Sequence, residues 1–172
     1  MKRMLMALFV LLIAGCSSPG KPAFYYDWTQ YKTDVHILLV NEPQFKDGYD
    51  AILRSQDDGE YAMMALYDGG IVSHFGYVTK DNIDEWISMY TGFLKWNPED
   101  KTQKTKFTIN DGVSLFPSSY EVEFSYKNGK KLFLMNHSRS GSWFRDFSKQ
   151  AVDEKNVLEL LKIYVGLKSE LR

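Results

Sequence analysis

Apolar and polar positions alternate most regularly between Tyr120 and His137. Tyr120, Val122 and Phe124 fall on one side of an extended chain and Glu121, Glu123 and Ser125 on the other, the two-residue period of a half-buried strand. Asn128-Gly129 then predicts a tight turn, because both central residues of a type I′ turn need positive φ. A turn at that point sets the register. It places Phe124 opposite Phe133, Val122 opposite Met135 and Tyr120 opposite His137. This hairpin is expected to form the middle of an antiparallel sheet.

Upstream, Val35–Asn41 reads as a buried strand, and Asn41-Glu42-Pro43 and Lys46-Asp47-Gly48 as a loop. Tyr49–Ser55, Glu60–Tyr67 and Ile71–Val78 are apolar runs separated by Gln56-Asp57-Asp58-Gly59 and Asp68-Gly69-Gly70, the pattern of a three-stranded meander. The period then changes. Ile83, Trp86, Ile87, Tyr90, Phe93 and Leu94 recur at three- and four-residue spacing, which predicts a helix with Asp81 as its cap and Pro98 beyond its end. Phe107–Ile109 begins a strand that Asn110-Asp111-Gly112 turns, and Ser142–Phe147 suggests a brief further one.

The last helix starts at an Asp153 cap, with Val157, Leu160, Leu161, Tyr164 and Leu171 inward. Leu158 and Val165 suggest a second contact surface, and Gly166 marks a frayed end or close packing. Strands followed by a helix occur twice, without a motif that aligns the halves. The expected class is α+β, an antiparallel β-sheet with two main helices packed on it.

The first residues follow another logic. Lys2 and Arg3 precede the apolar run Met4–Ile13, and small residues follow, the layout of a secretory signal peptide. The run is too short for the ~20 residues a bilayer-spanning helix needs. Ile13-Ala14-Gly15-Cys16 resembles the lipobox of bacterial lipoproteins, with the one cysteine of the chain where that box needs it. The resemblance covers the leader alone. It implies cleavage before Cys16, acylation of its thiol and new amino end, and stable anchoring by several acyl chains. Ser17, where an aspartate would favour inner-membrane retention, implies the outer membrane. The expected organisation is a signal peptide over 1–15, an acylated end and flexible tether over 16–23, and one α+β domain over 24–172.

Charge narrows the partners. The formal net charge is −1, and removing Lys2 and Arg3 with the leader leaves 19 basic against 22 acidic residues. Nucleic acid, which draws on a basic face to release counterions, is therefore not expected. The expected partners are the bilayer, through acylated Cys16, and another envelope protein.

Candidate chemistry is sparse. His36, His74 and His137 each fall in a predicted strand without metal-ligand spacing, and no metal or cofactor is expected. Asp57-Asp58-Gly59-Glu60 lacks the alternating frame of a calcium loop and reads as a solvated turn. The densest polar stretch is Asn136–Asp146, whose His137, Arg139, Trp143 and Arg145 suit a partner-binding loop, Arg and Trp being enriched at interface hot spots. Ser140-Gly141-Ser142 lacks the frame of a nucleophile elbow.

The aromatics Phe24, Tyr25, Tyr26, Trp28 and Tyr31 read as a first ordered element, as a wall for glycan or peptide, or as residues at the membrane interface. The function expected from all this is a membrane-anchored, periplasm-facing, non-enzymatic protein-binding module, an assembly accessory or an immunity-type inhibitor. The alternatives are an envelope hydrolase using the 136–146 loop and a lipid or glycan carrier.

Overall fold

The computed structural model describes residues 28–41, 44–68, 71–110, 118–139 and 149–172. Among them are the strands β1 (Trp28–Asn41), β2 (Gln44–Gln56), β3 (Tyr61–Asp68), β4 (Ile71–Thr79), β5 (Lys106–Asn110), β6 (Ser118–Lys127), β7 (Lys130–Arg139) and β8 (Lys149–Asp153). The helix α1 (Ile83–Lys95) follows β4, and α2 (Glu154–Leu167) follows β8. The strands form an eight-stranded antiparallel sheet in the order β4-β3-β2-β1-β8-β7-β6-β5. The class is therefore α+β, with the sheet dominant. Two meanders lie side by side, joined where Leu38, Leu39 and Val40 of β1 pair with Ala151, Gln150 and Lys149 of β8.

The β6–β7 hairpin has the register its turn predicts, with Phe124 opposite Phe133, Val122 opposite Met135 and Tyr120 opposite His137. Asn128 and Gly129 both take positive φ, 52° and 76°. β1 is longer than expected, because pairing with β2 extends back to Trp28, opposite Gln56. The expected loop around Lys46–Gly48 is instead strand, with Lys46 opposite Leu39. A register shift between Ile37 and Leu39 absorbs the difference. Glycine is required at 48, since a Cβ there would lie 2.5 Å from the Ile37 carbonyl oxygen and 2.6 Å from the His36 ring.

The helix ends show which capping expectations hold. Asp153 caps α2, its carboxylate accepting from the Asn156 backbone N–H at 3.0 Å. Asp81 does not cap α1. The N-cap is Asn82, whose side chain makes no bond to the helix and turns outward to other strands. Trp96 closes the helix with extended backbone, two residues before Pro98. Leu158 and Val165 are exposed rather than packed, and nothing lies within 4 Å of a Cβ built on Gly166.

The two halves share a pattern that the sequence reading did not align. Asn82, Ile83, Trp86, Tyr90 and Phe93 recur, at constant displacement, as Asn156, Val157, Leu160, Tyr164 and Leu167, all buried. Each asparagine reaches from its own half into the first strand of the other. The Asn156 amide oxygen accepts from the His36 backbone N–H in β1 at 2.7 Å. The Asn82 amide nitrogen donates to the Asn110 carbonyl at the end of β5 at 3.2 Å.

The helices run antiparallel on the core side of the sheet. Lys168 after α2 pairs with Asp84 at the start of α1 at 2.6 Å. Lys131 donates to the Leu94 carbonyl at the end of α1 and to Glu154 at the start of α2. The core they enclose is aromatic. Phe93, Phe124 and Phe133 pack with centroids 5.3 to 5.9 Å apart, and Phe75 of β4 reaches Phe133 of β7 at 6.2 Å. Such contacts add about 1 kcal/mol per well-placed pair beyond the area they bury.

Tyr90 and Tyr164 stand at the equivalent positions of the two helices, with ring centroids 5.2 Å apart. Their hydroxyls are near enough to affect each other's ionisation yet make no well-formed hydrogen bond. Burial raises the pKa of both phenols above 10.0, their ordinary value. Below pH ~10 both states keep these phenols neutral; above it only the unfolded state ionises them, so stability falls as pH rises. Between pH 9 and 11 the pair should cost about 1–3 kcal/mol in a denaturant titration, at up to ~1.4 kcal/mol per group and pH unit. Tyr90→Phe with Tyr164→Phe should remove that slope with little loss at pH 7, because neither hydroxyl is then left without a partner. An unchanged slope in the double variant would assign alkaline sensitivity to other groups.

Candidate functional site

The face of β5–β7 turned away from the helices follows from the hairpin register. With Tyr120, Val122 and Phe124 inward, Glu121 and Glu123 point outward, and pairing puts Asn136 and Leu134 beside them. On the other flank, Lys106 lies opposite Glu123 and Thr108 opposite Glu121. Lys149 of β8 completes the row. These residues, with Lys104, Phe107, Val122 and Met135, line an open groove of about 560 Å³. Lys104 holds its ammonium 5.1 Å from the Phe107 ring centroid, a cation–π contact at the rim.

The groove sets Leu134, an apolar side chain on this face, among charges of both signs. Its side chains stand on paired strands, which hold them at fixed spacing. That arrangement suits recognition of a segment with complementary charges at strand spacing. Part of the signal was present in the sequence: once the Asn128-Gly129 turn fixes the register, Leu134 is an apolar residue on the side that carries Glu121 and Glu123, while the strands that flank them come from elsewhere in the chain.

Of the expected partner-binding residues, His137 lies on β7 opposite Tyr120, and Arg139 ends the same strand opposite Ser118. Both are on the strand that supplies Leu134 and Asn136 to the groove. Trp143 and Arg145 lie outside the described residues, as do the leader, Cys16, the whole tether, Phe24, Tyr25, Tyr26 and the suggested strand at Ser142–Phe147. Trp28 and Tyr31, expected as part of an aromatic first element, belong to β1.

Elsewhere, the His36 Nδ1 lies 3.1 Å from an Asp50 carboxylate oxygen. The Asp57–Glu60 turn is tied down by protein groups. The Thr29 hydroxyl donates to Asp57 at 2.8 Å, and the Glu60 N–H donates to Asp58 at 3.1 Å. Among the described residues no cluster of three His, Cys, Asp or Glu side chains could hold a metal ion. No described helix is long and apolar enough to cross a membrane.

No family model matches the sequence, and no curated protein matches it. Among solved structures, the chain is similar to the crystal structure of WHY1 from Arabidopsis thaliana, with a TM-score of 0.38, 10% identity and 88% of each chain covered. The exclusion of nucleic acid, drawn from net charge, is corrected on this finding and withdrawn. Physically, net charge sums over the whole surface, whereas a ligand meets one face. The groove carries Lys104, Lys106 and Lys149 against Glu121 and Glu123, a local balance opposite in sign to the total. A likeness this distant puts no partner in its place.

Proposed function

We propose that this chain is a lipid-anchored, non-enzymatic binding module of the cell envelope that docks an extended segment of another protein along the β5–β7 groove. The groove carries the docking part of this reading. An open trough of about 560 Å³, with Leu134 among charges of both signs, matches a strand-like ligand better than a small enclosed one. The anchoring part rests on the Ile13-Ala14-Gly15-Cys16 motif, and Ser17 favours the outer membrane. The tether between Cys16 and β1 would let the module reach a partner while the acyl chains hold it at the bilayer.

A photo-crosslinking residue at Asn136 in the acylated protein tests the docking surface, with one at exposed Lys162 on α2 as control. One defined adduct from position 136, absent from position 162, is expected. Lys106→Glu combined with Lys149→Glu should reduce that adduct at least tenfold without changing the melting temperature. Equal labelling from both positions would reject the groove as the docking surface. Radiolabelled palmitate should enter the wild type and not Cys16→Ser; a protein that takes no label is not lipid-anchored.

A further inference from the structure

The outer face of the other half-sheet holds a different set of groups. By register, Trp28 of β1 lies opposite Gln56 of β2, Arg54 opposite Met63 of β3, and Tyr61 opposite Thr79 of β4. These side chains share one face, since Leu53, Ala62, Met64 and Val78 on the alternate positions enter the core. Trp28, Tyr61 and Tyr77 form an edge-to-face row, with centroids 5.2 and 5.8 Å apart and planes at 77° and 76°. The Arg54 guanidinium carbon lies 4.9 Å from the centre of the Trp28 ring.

Gln56 sits within this set at 3% exposure, and both its amide nitrogen and its amide oxygen lack a hydrogen-bond partner. The Arg54 Nε and the Thr79 hydroxyl, on the same face, are also buried without one. Folded proteins leave only a few such atoms per hundred residues, and four of those among the described residues lie on this face. Arg54 and Gln56 stand on the side of β2 opposite Ala51 and Leu53, which enter the core.

We infer that this face is a second binding site, for a sugar ring of a neutral glycan. Gln56 Nε2 and Arg54 Nε need acceptors, Gln56 Oε1 needs a donor, and the Thr79 hydroxyl takes either. A carboxylate or fully ionised phosphate offers acceptors only and leaves Gln56 Oε1 unpaired. An apolar ligand offers neither. Neighbouring sugar hydroxyls each donate and accept, so a pair of them completes both ends of the amide. The C–H face of the same ring packs on Trp28 and Tyr61, whose rings supply apolar contact beside a polar edge. A flat base is less suited, because Arg54 already covers one face of Trp28 and the rings meet edge to face. Entry requires the Arg54–Trp28 stack to part.

Titration calorimetry on the full chain with maltotetraose and with the N-acetylglucosamine tetramer tests the assignment, with a tetra-adenylate oligonucleotide as comparison. Saturable binding of at least one oligosaccharide is expected, weakened at least tenfold in Gln56→Leu and in Thr79→Val. Gln56→Leu should also melt at or above the wild-type temperature, because it removes an amide that the fold does not pair. Binding of neither sugar, or of the oligonucleotide alone, would overturn the assignment. So would a Gln56→Leu variant that melts lower and binds sugar unchanged. The site lies on the half of the sheet without the groove, so its failure leaves the groove reading standing.

Discussion

Gly76→Ala is expected to destabilise the protein by about 4 kcal/mol, the sum of a strained backbone and an overfilled core. Gly76 sits in β4 at φ 81°, where a register shift between Met63 and Ala65 lets β4 carry an extra residue. A Cβ there would lie 2.7 Å from the Trp86 ring. That ring cannot retreat. It is fully buried among Tyr90, Tyr120 and Tyr164, and its N–H donates to the Tyr77 carbonyl at 3.1 Å. Gly129 provides the control, since it has a similar φ of 76° and nothing within 4 Å of its Cβ position. Gly129→Ala should cost only about 1 kcal/mol, the backbone share alone. Urea midpoints of the two variants give the comparison, and equal losses would mean that the Trp86 collision is relieved at no cost.

Asn82→Ala should cost about 2–4 kcal/mol, because one buried side chain serves three backbone groups. Its amide oxygen accepts from the Thr79 N–H at 2.8 Å, and its nitrogen donates to the carbonyls of Tyr77 and Asn110 at 3.2 Å. Alanine leaves the Thr79 N–H and the Asn110 carbonyl without this partner, while Tyr77 keeps the Trp86 indole. The loss should also be local. Asn82 ties β4 to β5, the two edge strands of the sheet, and the Tyr120 hydroxyl supports the same join by accepting from the Tyr77 N–H at 3.0 Å. Amide hydrogen exchange should therefore accelerate in β5 and at the end of β4 before it does in β7. Uniform acceleration would show that the asparagine stabilises the whole fold rather than this join.

How much of this could be read beforehand depended on the range of the interaction responsible. The Asn128-Gly129 turn, the alternation through β6 and the Asp153 cap are decided within a few residues, and the structure reproduces each. The failures share another cause. Asp81 has the right chemistry for a cap, but tertiary partners claim Asn82 and the helix begins after it. Lys46–Gly48 has the composition of a loop, yet the opposing strand draws it into the ladder. The groove needed both a register and the strand that comes to lie beside it.

By itself the chain's order of residues determined an α+β class, the hairpin register and the helix faces. Those follow from periodicity and turn chemistry, which act between near neighbours. Tertiary structure alone decided that β1 joins β8, that Asn82 and Asn156 cross between the halves, and which outward side chains share a groove or an aromatic face. Such contacts unite residues far apart in the chain, and no local preference encodes which distant strand will arrive.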